Sequence, residues 1–308
     1  MRLDSTLDLI TRTPLIHLDK IASGQGKIFA KLEFLQPGGS VKDRVALQMI
    51  KDAYSSGMLK KGQPVVEMTS GNMGAGLAVV CRQFGNPFIV VMSEGNSPER
   101  RKILKALGAE IILTAQVDGH PGMVTGKDIE YAASVAKNIA AEREGFYADQ
   151  FNNPSGIRAH YETTGPEIAE DLKNIDAFIA TVGTGATFIG TSEYLKSRNR
   201  KIRCIAVEPE NAAVLKSGTI INPLHIIQGT GYCKVPPLWE PDLADDIITV
   251  TDNEVKEMTG RLSSEQGLYA GYSSGANVKA ALKYLETTKS RGNVVTILCD
   301  YGYKYSDI

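Results

Sequence analysis

Four short stretches hold residue types that could do chemistry. The first, PGGSVKDR (37–44), places Lys42 two positions beyond Ser40, which with Asp43 makes a capping-box-like S-x-x-D start to a helix. The partial positive charge at a helix N-terminus disfavours an ammonium by a few tenths to about 1 kcal/mol. The same field favours the neutral amine, the form that attacks a carbonyl carbon to make a Schiff base. A solvated surface lysine is the other reading of this stretch alone.

The second stretch, GTGAT (183–187), follows a strand-like run and opens a helix, so converging backbone N–H groups and the helix dipole make an anion site. A glycine turn that packs a helix tightly on a sheet explains it as well. TSGN (69–72) offers two hydroxyls, a glycine backbone and a carboxamide, suited to a carboxylate or a phenolic oxygen; ordinary capping by Asn72 is the alternative. GYSSGAN (271–277) leaves Ser273 and Ser274 to cap a helix or to bind a ligand. Each turn is weak evidence alone. Four of them at strand C-terminal ends point to one ligand-binding edge.

The elements that would position these turns alternate along the chain. KIFAKLEF (27–34), PVVEM (64–68), PFIVVM (87–92) and AEIILT (109–114) read as buried strands, with helical segments at 40–56, 72–84 and 97–107. In the first helix Val45, Ala46, Met49, Ile50 and Ala53 share one face. The second half repeats the order: strand 176–183, helix 187–197, strand 201–209, helices 252–266 and 274–287, strand 293–300. This alternation predicts an α/β protein with mostly parallel sheets between helices, in two three-layer α/β/α domains. The predicted boundary lies near GFYADQFNNPSG (145–156), giving domains 1–150 and 151–308, with the first ~35 residues able to pack on the other domain. Segment 210–245 is irregular and proline-bearing, and predicts loops.

Composition narrows the function classes. The 34 Lys and Arg nearly balance the 35 Asp and Glu, so no general attraction to nucleic acid or an acidic membrane is expected. No apolar run reaches 18 residues, which argues against a transmembrane helix. MRLDSTLDLITRTPLIHL has acidic residues within its apolar stretch, unlike a secretory leader. Cys81, Cys204, Cys233 and Cys299 are far apart, consistent with free thiols in a reducing cytoplasm. His17, His120, His160 and His225 are equally scattered, and no metal site is expected. A nicotinamide site is the main competitor for GTGAT, with Glu208 as the acidic ribose contact. Phe188 stands where G-x-G-x-x-G needs glycine, and Lys42 would have no role.

Taken in order, T-P-L (13–15), KLEFLQPGGSVKDR (31–44), TSGNMG (69–74), ERRKILKALGAEIILT (99–114), DQFNNP (149–154), TTGPEI (163–168), GTGAT, VEP (207–209) and GYSSGAN resemble the cysteine synthase and cystathionine β-synthase family. Its members are pyridoxal phosphate (PLP) enzymes of fold type II, like tryptophan synthase β. The resemblance implies that Lys42 is the Schiff-base lysine and later the base. It implies that Asn72 hydrogen-bonds the PLP 3′ oxygen, that Gly183, Thr184, Gly185, Ala186 and Thr187 hold the phosphate, and that Ser273 faces the pyridine nitrogen. Thr69, Ser70, Gly71 and Gln150 would hold the substrate carboxylate, with Met73, Gly229 and Tyr232 also at the substrate. The implied reaction is β-replacement on an activated serine through an aminoacrylate intermediate, with sulfide as the simplest nucleophile. The resemblance also implies a homodimer and serine acetyltransferase as a partner.

Three stretches depart from the family pattern. Met73 stands where threonine is common, which removes a hydroxyl donor. Ala186 replaces the last glycine of GTGGT, a mild change if the backbone φ there is ordinary. GTGYCKVPP (229–237) differs from the loop usual in O-acetylserine enzymes, and its Tyr232 is closer to cystathionine β-synthases. Cystathionine formation and cysteine desulfhydration therefore stand beside cysteine synthesis as readings. The tail ILCDYGYKYSDI (297–308) departs as well.

Overall fold

The computed structural model describes residues 2–22 and 26–305, so Ser306–Ile308 of the divergent tail lie outside the described residues. The chain divides into two compact units, one of Met1–Ile10 with Pro37–Gly156 and one of Thr11–Gln36 with Ile157–Ile308. In chain order the elements are β1 (Leu15–His17), β2 (Lys27–Leu32), α1 (Lys42–Ser55), β3 (Val65–Met68), α2 (Asn72–Phe84), β4 (Phe88–Ser93), α3 (Pro98–Ala106), β5 (Glu110–Thr114), α4 (Gly126–Glu142) and β6 (Phe146–Tyr147). There follow α5 (Ser155–Ala159), a π-helical turn (His160–Thr164), α6 (Gly165–Asp171), β7 (Ala177–Thr181), α7 (Ala186–Arg198), β8 (Arg203–Pro209) and α8 (Val214–Ser217). The last elements are β9 (Asp246–Val250), α9 (Asp252–Gln266), α10 (Tyr272–Thr288) and β10 (Asn293–Leu298).

The first unit holds a parallel sheet in the order β5-β4-β3-β6. All six residues of β4 are buried, so helices cover both faces. On one face Val66, Ile89 and Val91 meet Ala132, Ala136 and Ala140 of α4. Those alanines recur every four residues, and so fall on one helical face. β5, read from sequence as a buried strand, is an edge strand with Leu113 exposed, because only β4 pairs with it.

The second unit has six strands in the order β1-β2-β10-β7-β8-β9, antiparallel only at β1–β2. Helices α9 and α10 cover one face through Val255, Met258, Leu262, Ala276, Ala280 and Leu285. On the other face Phe178 of β7 stacks on Phe188 of α7 at 6.3 Å. The early strand β2 is anchored by Lys31, fully buried, whose Nζ lies 2.9 Å from a Glu167 carboxylate oxygen and donates to the Thr13 carbonyl at 2.6 Å. Truncating one partner of such a buried pair strands a charge and costs about 3–5 kcal/mol. Both units are helix-covered parallel sheets, and the fold is the two-unit α/β architecture that the alternating pattern predicts.

Candidate active site

In the first unit, the PGGSVKDR turn ends at Lys42, the first residue of α1 and half-buried. The helix does not start as the S-x-x-D pattern predicts: Val41, already in helical conformation, occupies the cap position. The Ser40 hydroxyl accepts the Lys42 N–H at 3.2 Å, and the Ser40 carbonyl accepts the Asp43 N–H at 3.2 Å. Asp43 does not reach back to Ser40. Its buried carboxylate accepts the Gly38 N–H, and a Cβ at Gly38 would sit 2.6 Å from that carboxylate. Gly76 lets α2 press on the same turn, since a Cβ there would lie 3.2 Å from the Lys42 carbonyl oxygen. The lysine's backbone is therefore clamped from two sides.

The turn after β3 carries Thr69, Ser70 and Gly71 into α2. Thr69 is buried, and its hydroxyl accepts the Gly71 N–H at 3.3 Å. Gly71 is the cap residue and Asn72 the first residue of the helix, so capping does not account for the Asn72 carboxamide. Ser70 accepts from Arg100 Nη1 of α3 at 3.3 Å. Met73, 2% exposed, is packed inside. Gln150 lies against the end of β3: its Nε2 donates to Glu67 Oε1 at 3.2 Å and sits 3.5 Å from the Met68 carbonyl oxygen. Burial pushes the Glu67 carboxyl up to about 8, with the Gln150 hydrogen bond opposing and the Asp149 carboxylate reinforcing that rise.

In the second unit, β7 runs into Gly183, Thr184 and Gly185 before α7. Gly185 has φ +94° and caps the helix. A Cβ at Gly183 would fall 2.2 Å from the Gly229 carbonyl oxygen, so the two glycine turns meet backbone to backbone. Ala186 is the first helical residue and is not a left-handed position, which explains why alanine serves there. The Thr184 hydroxyl accepts weakly from the Ala186 N–H at 3.5 Å. Thr187 Oγ1 lies 3.1 Å from Nε2 of the buried His160, whose Nδ1 lies 2.8 Å from the Thr164 hydroxyl. The turn is a backbone cradle at the N-terminus of a 13-residue helix, with the geometry of an anion site.

Ser273 is buried in the first turn of α10, after the Gly271 cap. The neighbouring serines divide their tasks, because Ser274 accepts the Cys299 N–H at 2.8 Å and ties the helix to the end of β10. Asn277 accepts the Thr181 N–H at 2.7 Å and donates to the Ile297 carbonyl at 2.8 Å, joining the helix start to β7 and β10. Gly183, Glu208, Tyr232 and Cys233 line a small surface depression. The Glu208 carboxylate accepts the N–H groups of Leu215 at 2.9 Å and Lys216 at 3.0 Å, so it is engaged in holding α8 rather than presented to a ribose. Burial raises the Cys233 thiol above its ordinary value, the wrong direction for a nucleophile.

Within the second unit, the cradle and the neutral hydroxyl of Ser273 have the chemistry to receive a phosphate and a ring nitrogen; within the first, the half-buried Lys42 carries an amine of the kind that condenses with an aldehyde. Glu67 and Arg100 were not singled out in the sequence. Glu67 reads there as one more strand residue, and Arg100 as part of a charged helix face.

Two parallel α/β units with glycine and hydroxyl turns at strand ends define a small-molecule enzyme. The chain belongs to the family of pyridoxal-phosphate dependent enzymes, whose model matches residues 6–300. It is 39% identical over 305 residues to a cysteine synthase of Staphylococcus aureus, covering 98% of this chain and 95% of the relative. A crystal structure of O-ureido-L-serine synthase matches with a TM-score of 0.92 at 35% identity, over 100% of this chain and 95% of that one. An O-acetylserine-dependent cystathionine β-synthase from Helicobacter pylori matches with a TM-score of 0.90 at 35% identity, over 100% and 98% of the two chains.

Proposed function

We propose that this enzyme carries out β-replacement on an activated serine, making cysteine from O-acetylserine or a close relative and sulfide. The 39% identity to a cysteine synthase across nearly the whole of both chains is the observation that carries the reading. PLP, when bound, supplies an electron sink for negative charge at the substrate α-carbon. Lys42 Nζ would anchor the cofactor and is the chain's base for the proton on the substrate α-carbon. The Gly183–Thr187 turn would hold the phosphate, Asn72 would hydrogen-bond the 3′ oxygen, and the Ser273 hydroxyl would serve the pyridine nitrogen. A neutral serine there leaves the ring nitrogen without a carboxylate partner, which moderates the sink and suits loss of a β-substituent over transamination. Thr69, Ser70, Gly71 and Gln150 hold the substrate carboxylate, with Met73 beside them. Gly229 and Tyr232 line the approach of the nucleophile.

The same reading includes a homodimer working in the cytoplasm, with serine acetyltransferase as a partner; the free cysteines support a reducing compartment. Among the described residues no helix is long and apolar enough to cross a membrane. Tyr232, beside Gly183 in the depression, favours a second reading in which homocysteine replaces sulfide and cystathionine is the product. Side-by-side assays decide between them. O-Acetylserine with sulfide should be turned over fastest, ahead of serine or O-acetylserine with homocysteine and of cysteine alone. Preference for homocysteine would establish the second reading, and dominant sulfide release from cysteine would overturn both.

A further inference from the structure

Gln150 is held in place by a group that the reaction itself does not require. Glu67 is 1% exposed and lies on the face of β3 opposite Val66 and Met68, paired in register with the apolar Val90. Its Oε1 accepts the Gln150 amide, while Oε2 is buried with no hydrogen-bond partner. The amide is thereby laid along Glu67 and Met68, the last two residues of β3 before Thr69. The loop carrying Gln150 is itself braced. Asp149, at φ +49°, accepts from Asn152 Nδ2 at 2.8 Å, and Asn153 Nδ2 donates to the Ala148 carbonyl at 2.9 Å. A polar clamp between two loops of one sheet edge is what this arrangement provides.

We propose that Glu67 is a positioning residue for the substrate carboxylate, acting through Gln150: together with the Met68 carbonyl it fixes the orientation of the Gln150 amide at the end of β3, next to the start of the Thr69–Gly71 turn. The inference rests on the reading of Gln150 as a carboxylate contact. The titratable groups facing Glu67 are Asp149, whose carboxylate also opposes its ionisation, and Tyr147, whose phenol is held neutral by burial and by Glu67 itself. A neutral Glu67 adds no negative charge beside an incoming carboxylate. An ionised one adds a charge two residues from Thr69, and weakens binding as the pH rises through about 8.

The test uses the holoenzyme and L-alanine, which has no β-leaving group, and reads the concentration that half-saturates the change in visible spectrum. Between about pH 7 and pH 9, wild-type half-saturation should rise roughly tenfold more than that of Glu67→Gln. Glu67→Gln, whose amide carbonyl can accept the same bond, should restore most of the affinity lost in Glu67→Ala. Adding Glu67→Ala to Gln150→Ala should weaken binding no further than Gln150→Ala alone. Unchanged cofactor absorbance in the free variants confirms that each is folded. Superimposable pH profiles for wild type and Glu67→Gln, or multiplying effects of the two alanine substitutions, overturn the inference. Normal alanine affinity in Gln150→Ala removes instead the substrate role of Gln150, a failure distinct from that of Glu67.

Discussion

The two units hold their candidate ligand turns by different means. In the second unit the Gly183–Thr187 cradle is set by backbone: a left-handed Gly185 and the Gly183–Gly229 approach. In the first unit the carboxylate turn is set by side chains, with Ser70 on Arg100 and Gln150 on Glu67. Backbone contacts do not titrate and tolerate no added Cβ. Side-chain clamps tolerate small changes in volume but respond to pH. The comparison teaches that one molecule holds two similar turns by different kinds of rigidity, and on the proposed reading the fixed kind serves the cofactor and the adjustable kind the exchanging substrate.

The largest expected effect is at the first unit's lysine. Lys42→Ala should lower turnover by about 10³-fold or more and abolish the visible absorbance of the loaded protein. A coloured and active Lys42→Ala enzyme would break the assignment. In the second unit, Gly183→Ala forces a Cβ to within 2.2 Å of the Gly229 carbonyl oxygen. The strain should cost about 1–3 kcal/mol and weaken PLP affinity roughly tenfold or more, measured by titrating the apoenzyme with cofactor. An unchanged affinity would mean that the cradle is softer than its backbone contacts imply.

The next effect separates the units by pH. Glu67 has a raised pKa, so the folded protein binds a proton more tightly than the unfolded chain between about 4.5 and about 8. Its contribution to stability is complete below that window and is lost as pH rises through it. The melting temperature should therefore fall from about pH 5 to pH 8, with a shallower fall in Glu67→Gln. Identical slopes would remove the contrast between a titrating first unit and a fixed second one. The smallest effect is expected at Ala186→Gly, where the left-handed conformation belongs to Gly185 and not to Ala186. PLP affinity should stay within about twofold, because a helical position gains little from glycine.

Much of the fold was legible because the strands are short apolar runs between amphipathic helices; α2, β8 and α9 fall within a residue or two of their predicted limits. Helix α4 was not picked out from the sequence; its buried face is built on Ala132, Ala136 and Ala140 rather than on large aliphatic residues. The segment 155–171 escaped as well. It is two short helices around a π-turn, in which the buried His160 interrupts the apolar period. Of the candidate site, the turns with glycine and small hydroxyl residues were legible, since each follows a strand-like run and opens a helical segment. Glu67 and Arg100 were not, because their partners Gln150 and Ser70 lie 83 and 30 residues away in sequence.

By itself the sequence displayed most of the strands and helices in order, four turns of glycine and small hydroxyl residues, and the family whose motifs those turns resemble. Apolar period and turn residues are local properties, and a linear chain displays them directly. Tertiary structure alone decided which serine of the pair is spent on β10, that Val41 and not Ser40 begins the first helix, and that a carboxyl in β3 sits beside the Gln150 amide. Those outcomes depend on burial and on partners distant in the chain, and burial is a property that no residue has until the sheet has formed.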